Sequence, residues 1–545
     1  MKITMVFPSK NIKYIFLFSF VFATIGTVQS QVTGNEDVDV VSAYNPILAD
    51  AVKENFDAQI PANNVKPEKL DYNIPIDFYQ IPYQPVKVKP IRLPDAPAEE
   101  LDNIYVKAGF GTQFTPLAEV YINSNRNKKY TYGLYGKYIS SNGSLENQNY
   151  NDLRLGGNAK FYFDDKYALP INAYYSRNSL FYYGYNDEDT TIKGSDIKQV
   201  FNKYGFDVGF HNIGDNPLNM DFGMKFGFTG ITDINKYKEI NPFITAYGEK
   251  KLENKSILGA EVTYEYYSYE GAGENSNSLA GLKPYYKMIK DEWSLNFGTG
   301  IKVDKDENAY FLPDILFSYD LIGDKFVFIA GAQGHLQKNN FANIVDENPF
   351  VNDTLQYINS PIQEIFAGLR GSTNGNFSFS VKGYQKSAKD LPFYINDSTD
   401  MKRFNVEYSD ATIWGGNIEL SYFNIDKFRF TGSVNAFTFS EIKKFDNPYH
   451  RPTLEWTLSG MYRFNKKLNM NVDIFGLGKS FALLPGDVEE QIDGVVDFNL
   501  GANYMYSKYF NIFVNVNNMA SFKYQRYYNY PSYGIQALAG ISFTF

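Results

Sequence analysis

Ten short clusters of Asn, Asp, Gly and Lys punctuate the chain after residue 102, and they constrain its fold more than any other feature. They fall at Asn125–Lys128, Asp164–Lys166, Gly214–Pro217, Glu253–Lys255, Lys290–Glu292, Gly323–Lys325, Asn374–Asn376, Asn424–Lys427, Asn465–Lys467 and Ser507–Lys508. These residue types favour tight turns because they tolerate left-handed backbone or cap their own peptide groups. Most clusters are separated by roughly 40 residues, room for two tilted strands of ~10 residues and one longer connection. Longer polar segments alternate with them, as in Asn186–Ser195, Gln337–Ser360 and Phe439–Pro452. Between the breaks, Lys427–Ala436, Lys467–Ile474 and Phe510–Asn517 alternate apolar and polar residues, so each presents two unlike faces.

The last stretch, Tyr533–Phe545, repeats the pattern and ends on an aromatic residue. Tyr533, Ile535, Ala537, Ala539, Ile541, Phe543 and Phe545 share one face, and only Leu538 interrupts the small or polar residues of the other. An apolar terminal strand exposed to water is an aggregation hazard, whereas a closed barrel in lipid needs such a strand as its last stave. We read residues 102–545 as an all-β, transmembrane antiparallel β-barrel. With both barrel ends on the same side, ten short turns give about 22 strands, within a range of 18 to 24. Tyr533, Ile541, Phe543 and Phe545 are the candidate C-terminal signal for the barrel-assembly machinery.

Composition agrees with a strand-built membrane protein. Aromatics make up 17% of the 545 residues, with 45 Tyr and 46 Phe but 3 Trp, which suits rings placed at a membrane–water boundary. The mean hydropathy of −0.36 is no obstacle, because half of each strand faces a polar lumen. Zero cysteines exclude a disulfide scaffold and a lipid-modified cysteine at the mature N-terminus. A net charge of −9 with no basic stripe argues against nucleic acid.

At the N-terminus, Lys2, Lys10 and Lys13 flank the apolar run Ile15–Val28, and Val28-Gln-Ser30 fits a cleavage site before Gln31. Residues 1–30 therefore read as a signal peptide. Residues 31–101 carry Pro46, Pro61, Pro67, Pro75, Pro82, Pro85, Pro90, Pro94 and Pro97, which break helices and central strands alike. This segment reads as an extended, Pro-rich periplasmic arm. Within it, Glu36–Ala43 is a short β-prone peptide able to add as a strand to a periplasmic partner.

Reactive chemistry finds little support. His211, His335 and His450 are scattered, with no paired ligand spacing and no nucleophile elbow, so no catalytic, metal or cofactor site is assigned. Glu489-Glu490 and Asp187–Asp189 read as solvated loop charge. Gly109–Gly111 reads as part of a strand, since no lysine or helix follows to cradle phosphate. The cluster Tyr524–Tyr530 has the rings to stack on a sugar or aromatic ligand, and reads in the first place as part of an interfacial aromatic belt.

Residues 380–545 resemble the C-terminal barrel of TonB-dependent receptors. The resemblance is carried by Lys389-Asp-Leu-Pro-Phe-Tyr394, Tyr408–Ala411, Gly415–Tyr422, His450-Arg-Pro452, Asp497–Leu500, Asn515–Asn518 and the closing Gly540–Phe545. It implies an outer-membrane transporter, and it makes Asp37, Val38, Asp39, Val40 and Val41 the counterpart of the family's energy-coupling box, a contact for TonB or another periplasmic protein. The family places a plug domain between box and barrel, and the stretch from Ala43 to Asp102 is too short to hold one. Passage of a ligand is the function expected. A structural barrel docking partners such as a surface lipoprotein, or a passive pore, is the alternative.

Overall fold

A computed structural model describes residues 103–545, apart from 126, 185–192, 215, 272–273, 324, 353–355, 374–375 and 425–426. The signal peptide, the arm and the box-like segment Asp37–Val41 lie outside the described residues.

Twenty-two strands form one antiparallel sheet in which each barrel strand pairs with the next. The first, Ile104–Gly111, also pairs with the last, Gln536–Thr544, with Tyr105 opposite Thr544 and Gly111 opposite Leu538. That pairing closes the barrel and removes both edges, as a spanning sheet requires. All ten turn clusters fall between consecutive strands at one end of this barrel, here termed the short-turn end. Local chemistry sets them: Asp164 and Asp165 adopt left-handed backbone, and the Asn465 side chain accepts from the Lys467 and Leu468 amides.

The alternation sorts side chains as the pattern requires. On the first strand Ile104, Val106 and Phe110 point outward and are exposed, while Tyr105, Lys107 and Gly109 face the lumen. Ile541 and Phe545 are exposed on the outer face of the last strand's end, whereas Ser542 is buried inside it. An exterior of aliphatic and aromatic side chains suits hydrocarbon, and the inner wall is polar. Inside, Lys137 pairs with Glu119 at 3.1 Å, Lys283 with Asp314 at 2.7 Å, and Lys382 and Lys386 share Glu364 at 2.7 and 3.2 Å.

Glycines let strands approach and rings lie flat. At the closing seam Gly540 admits no side chain: a Cβ there would stand 2.1 Å from the Ala108 carbonyl oxygen and 2.7 Å from the Phe513 ring. Only a glycine lets the first and last strands meet under that ring.

Four features depart from the sequence reading. The last strand begins at Gln536, so Tyr533 precedes it and lies in the 518–535 connection. Connections at the other end are not uniformly long; 112–114 and 305–308 are as tight as the opposite turns, with Gln113, Phe114 and Glu307 in left-handed backbone. Two segments read as plain loop hold structure: the helix Phe341–Glu347 and the hairpin Ser480–Leu484 with Val488–Ile492. Finally, Tyr527 and Tyr530 are buried rather than set in a belt. Their rings found apolar partners in other loops, which local sequence does not record.

Candidate functional site: the closed mouth

The strands differ in height, from 8 residues at Ile104–Gly111 to 20 and 21 at Phe377–Asn396 and Phe404–Asn424. The tall pair rises beyond the rest of the wall at the long-loop end. A register shift between Ala388 and Leu391 bends it, with Asp390 in left-handed backbone, as bulges do. This bend delivers Phe393, Tyr394 and Phe404 to the mouth.

There they meet side chains from around the rim. One apolar cluster joins Phe201, Ile231 and Tyr269 at the strand tops with Phe341, Ile344 and Val345 of the helix. It continues through Val351, Tyr394, Phe404, Tyr527 and Tyr530. Against this cluster the half-buried Phe350 ring stacks on that of Tyr530, with centroids 3.6 Å apart. Each fully buried aromatic of this kind contributes on the order of 1.5–3 kcal/mol from area alone. The loops thus form a lid with a core of its own.

Polar contacts tie the lid down at its margins. Glu239, buried on an opposite strand top, accepts hydrogen bonds from the Phe341 amide at 2.7 Å, Asn340 Nδ2 at 2.6 Å and the Tyr357 hydroxyl. It satisfies the helix N-terminus, whose own cap residue Asn340 makes no side-chain cap bond. Lys203, from the inner wall, pairs with Asp346 and donates to the Ala342 carbonyl. From the last connection, Tyr527 donates to the Glu347 carbonyl, Tyr530 to that of Lys402 and Tyr533 to that of Gln148. In return Gln148 Nε2 and the Tyr183 hydroxyl both donate to the Pro531 carbonyl, at 2.9 and 3.0 Å. Tyr533 therefore anchors the lid, while Ile541, Phe543 and Phe545 belong to the final strand or its end.

Two of the segments that carried the family resemblance, Lys389–Tyr394 and His450–Pro452, meet here. Arg451 Nη2 donates to the Pro392 carbonyl at 2.7 Å and lies 3.1 Å from Glu347 Oε1, and its guanidinium sits 5.6 Å from the Phe393 ring centroid. Its neighbour His450 has left-handed backbone and a fully buried ring, set edge-on to Phe404 at 5.1 Å and tilted to Tyr527 at 5.7 Å. Burial pushes the imidazole down to about 3, so the ring is neutral. His211 and His335 lie on other strands, and no cluster of metal-ligating side chains occurs among the described residues.

The sequence contained one usable sign of this lid. Phe341–Val345 and Tyr524–Tyr530 are apolar or aromatic runs inside connections that solvent alone would keep polar.

No protein-family model matches the chain, and no curated protein sequence matches it significantly. Solved structures do match. The siderophore receptor PirA from Acinetobacter baumannii superposes with a TM-score of 0.63 at 10% identity, covering 82% of this chain and 81% of that one. A variant of the ferric enterobactin receptor PfeA from Pseudomonas aeruginosa gives 0.62 at 13% identity, over 83% and 81%. The FrpB iron transporter from Neisseria meningitidis gives 0.64 at 10% identity, over 81% of each chain. Identities this low establish a shared fold. The chain shares the barrel fold of these receptors, here with 22 strands.

Proposed function

We propose that this protein is an outer-membrane barrel that passes a ligand across that membrane, with its loop lid as the outer gate. The observation that carries the reading is the combination of a barrel with a polar inner wall and a mouth bridged by loops packed on one another. A barrel of this size has a lumen wider than its side chains fill, and a packed lid suits regulated passage better than steady leakage. The passive-pore alternative is the less favoured for that reason.

In this reading residues 1–30 direct export, and residues 31–101 form the periplasmic arm. The segment Asp37-Val-Asp-Val-Val41 pairs as an added strand with TonB or an equivalent energy-coupling protein. A photo-crosslinking residue at Val40 tests this in cells. An adduct with the coupling protein, lost when Glu36–Ala43 is replaced by a Gly/Ser stretch, is the expected outcome. Absence of any such adduct, with the barrel correctly assembled, would remove energised passage. It would turn attention to a docking barrel, for which co-purification with a lipoprotein is the direct assay.

A further inference from the structure

Aromatic side chains on the outer wall have lipid to face, but one row of tyrosines, three of them exposed, faces the lumen. Tyr105, Tyr121, Tyr135 and Tyr174 lie in one row across adjacent strands, in register through Tyr105↔Tyr121, Tyr121↔Tyr135, Tyr135↔Gly156 and Gly156↔Tyr174. Their face is fixed by their neighbours. Val106, Val120, Leu134 and Leu155 point outward, and Glu119, Lys137 and Asp152 share the inward face with the tyrosines.

Two of the rings lie flat because of what they cover. A Cβ on Gly156 would stand 2.5 Å from the Tyr135 ring, and one on Gly205 would stand 2.4 Å from that of Tyr174. Each ring is pressed on bare backbone, with its other face open to the lumen. Tyr121 continues the row, its ring centroid 6.4 Å from that of Tyr135 and only 23° out of parallel. Tyr121, Tyr135 and Tyr174 remain 38%, 41% and 42% exposed.

Beside the rings the wall offers carboxamides. Asn123, Asn158 and Asn172 line the same hollow of about 310 Å³ as Tyr121, Tyr135 and Tyr174. Asn172 donates to Asp207 at 2.9 Å, which holds an amide and a carboxylate side by side. The nearby cations are already engaged, Lys137 by Glu119 and Arg154 by Asp152 at 2.7 Å. The surface therefore combines flat apolar faces with carboxamides and one carboxylate, and the inward lysines next along the wall, Lys107 and Lys160, lie over the Phe513 and Tyr162 rings.

We propose that this inner-wall shelf binds a neutral oligosaccharide. A sugar ring has an apolar C–H face and a rim of hydroxyls, which matches a tyrosine face bordered by amides. A row of rings takes successive sugar units. The inference rests on the reading of the barrel as a passage for a ligand and names the chemical class that would pass.

The test is saturation-transfer NMR on the detergent-solubilised full chain with maltohexaose, cellohexaose and chitohexaose. It is run also in a Phe350→Ala/Tyr530→Ala background, so that a shut lid does not prevent entry. At least one hexasaccharide is expected to receive saturation at its ring C–H protons. The Tyr121→Ser/Tyr135→Ser/Tyr174→Ser variant should weaken binding by about tenfold or more, from the loss of three aromatic faces. Tyr121→Ser alone covers no glycine, so it leaves the wall intact and should weaken binding by roughly threefold. Tyr→Phe replacements at the three positions should retain most of it. No transfer to any of the three sugars in either background, or transfer undiminished in the triple variant, would overturn the proposal. The assay reads binding alone, so its failure is distinct from failure of the Val40 crosslink.

Discussion

Phe350 and Tyr530 stack with centroids 3.6 Å apart and an interplanar angle of 21°, although they come from connections on well-separated parts of the rim. No wall contact forces this meeting. It exists because loops that carry aromatic residues bury them against one another rather than leave them in water. Tyr183 and Tyr527 complete the packing, edge-on to Phe350 at 6.3 and 6.2 Å.

Arg451 should be the most consequential polar residue of the lid. It serves Glu347, the Pro392 carbonyl and the Phe393 ring at once. Arg451→Met should lower lid stability by about 2–3 kcal/mol, since it strands a partly buried carboxylate and a carbonyl. Glu347→Gln should cost about 1 kcal/mol, because that side chain is about one-third exposed and solvent screens the pair. Hydrogen exchange of the Phe404 and Asn352 amides, which bond across the lid, measures both. Strictly additive effects in the double variant would show that the ion pair contributes nothing.

The lid should loosen in acid through His450. Its folded-state pKa is about 3, against an ordinary value of 6.5. The opened lid therefore takes up a proton that the closed lid refuses. Stability from this group is intact above pH 6.5 and falls as pH drops toward 3, by up to about 1.4 kcal/mol per pH unit. Burial opposes protonation first and the Arg526 guanidinium adds to it, while the Arg526 backbone works the other way; Tyr527 lies against the ring, and Arg451 beside it is paired to Glu347. The protection of lid amides, which is their exchange corrected for its intrinsic pH dependence, should fall between pH 7.5 and 5, and His450→Asn, which tolerates the left-handed backbone, should flatten that fall. An unchanged slope in the variant would assign the effect to other groups.

Closure of the barrel should depend on Gly540. An added methyl group meets the Ala108 carbonyl oxygen at 2.1 Å and Gly109 Cα at 2.6 Å, both backbone atoms that cannot swing aside. Gly540→Ala should cost at least about 1–3 kcal/mol and reduce the heat-modifiable, folded form on gels. Gly460→Ala, where nothing lies within 4 Å, is the control and should assemble normally. Equal behaviour of the two would mean that the seam adjusts freely.

The barrel was legible in the sequence because its determinants are local. Asp164–Lys166 and Asn465–Lys467 make turns through their own side chains and backbone, and alternation along Phe510–Asn517 assigns its faces without reference to any partner. The lid was not legible, because its determinants are pairings between distant loops. Tyr527 and Tyr530 look the same in sequence whether they sit in a belt or pack on Phe404 and Phe350. Only the bend at Ala388/Leu391 and the height of the strand Phe404–Asn424 decide between the two. Tyr533 was misplaced for the same reason, since apolar alternation runs on through a loop residue whose hydroxyl is claimed by Gln148. The box-like segment Asp37–Val41 lies outside the described residues.

The most direct measurement is single-channel conductance of the full-length protein in a planar bilayer, beside its Phe350→Ala/Tyr530→Ala variant. Losing two packed rings should cost the lid on the order of 3–5 kcal/mol per ring, enough to open it while the strand pairing is untouched. A closed mouth predicts a wild-type protein that is silent or conducts only in brief events, and a variant with a large, steady conductance. A wild-type protein that conducts steadily, at a level the two substitutions do not change, would contradict the closed mouth and make the barrel a passive pore.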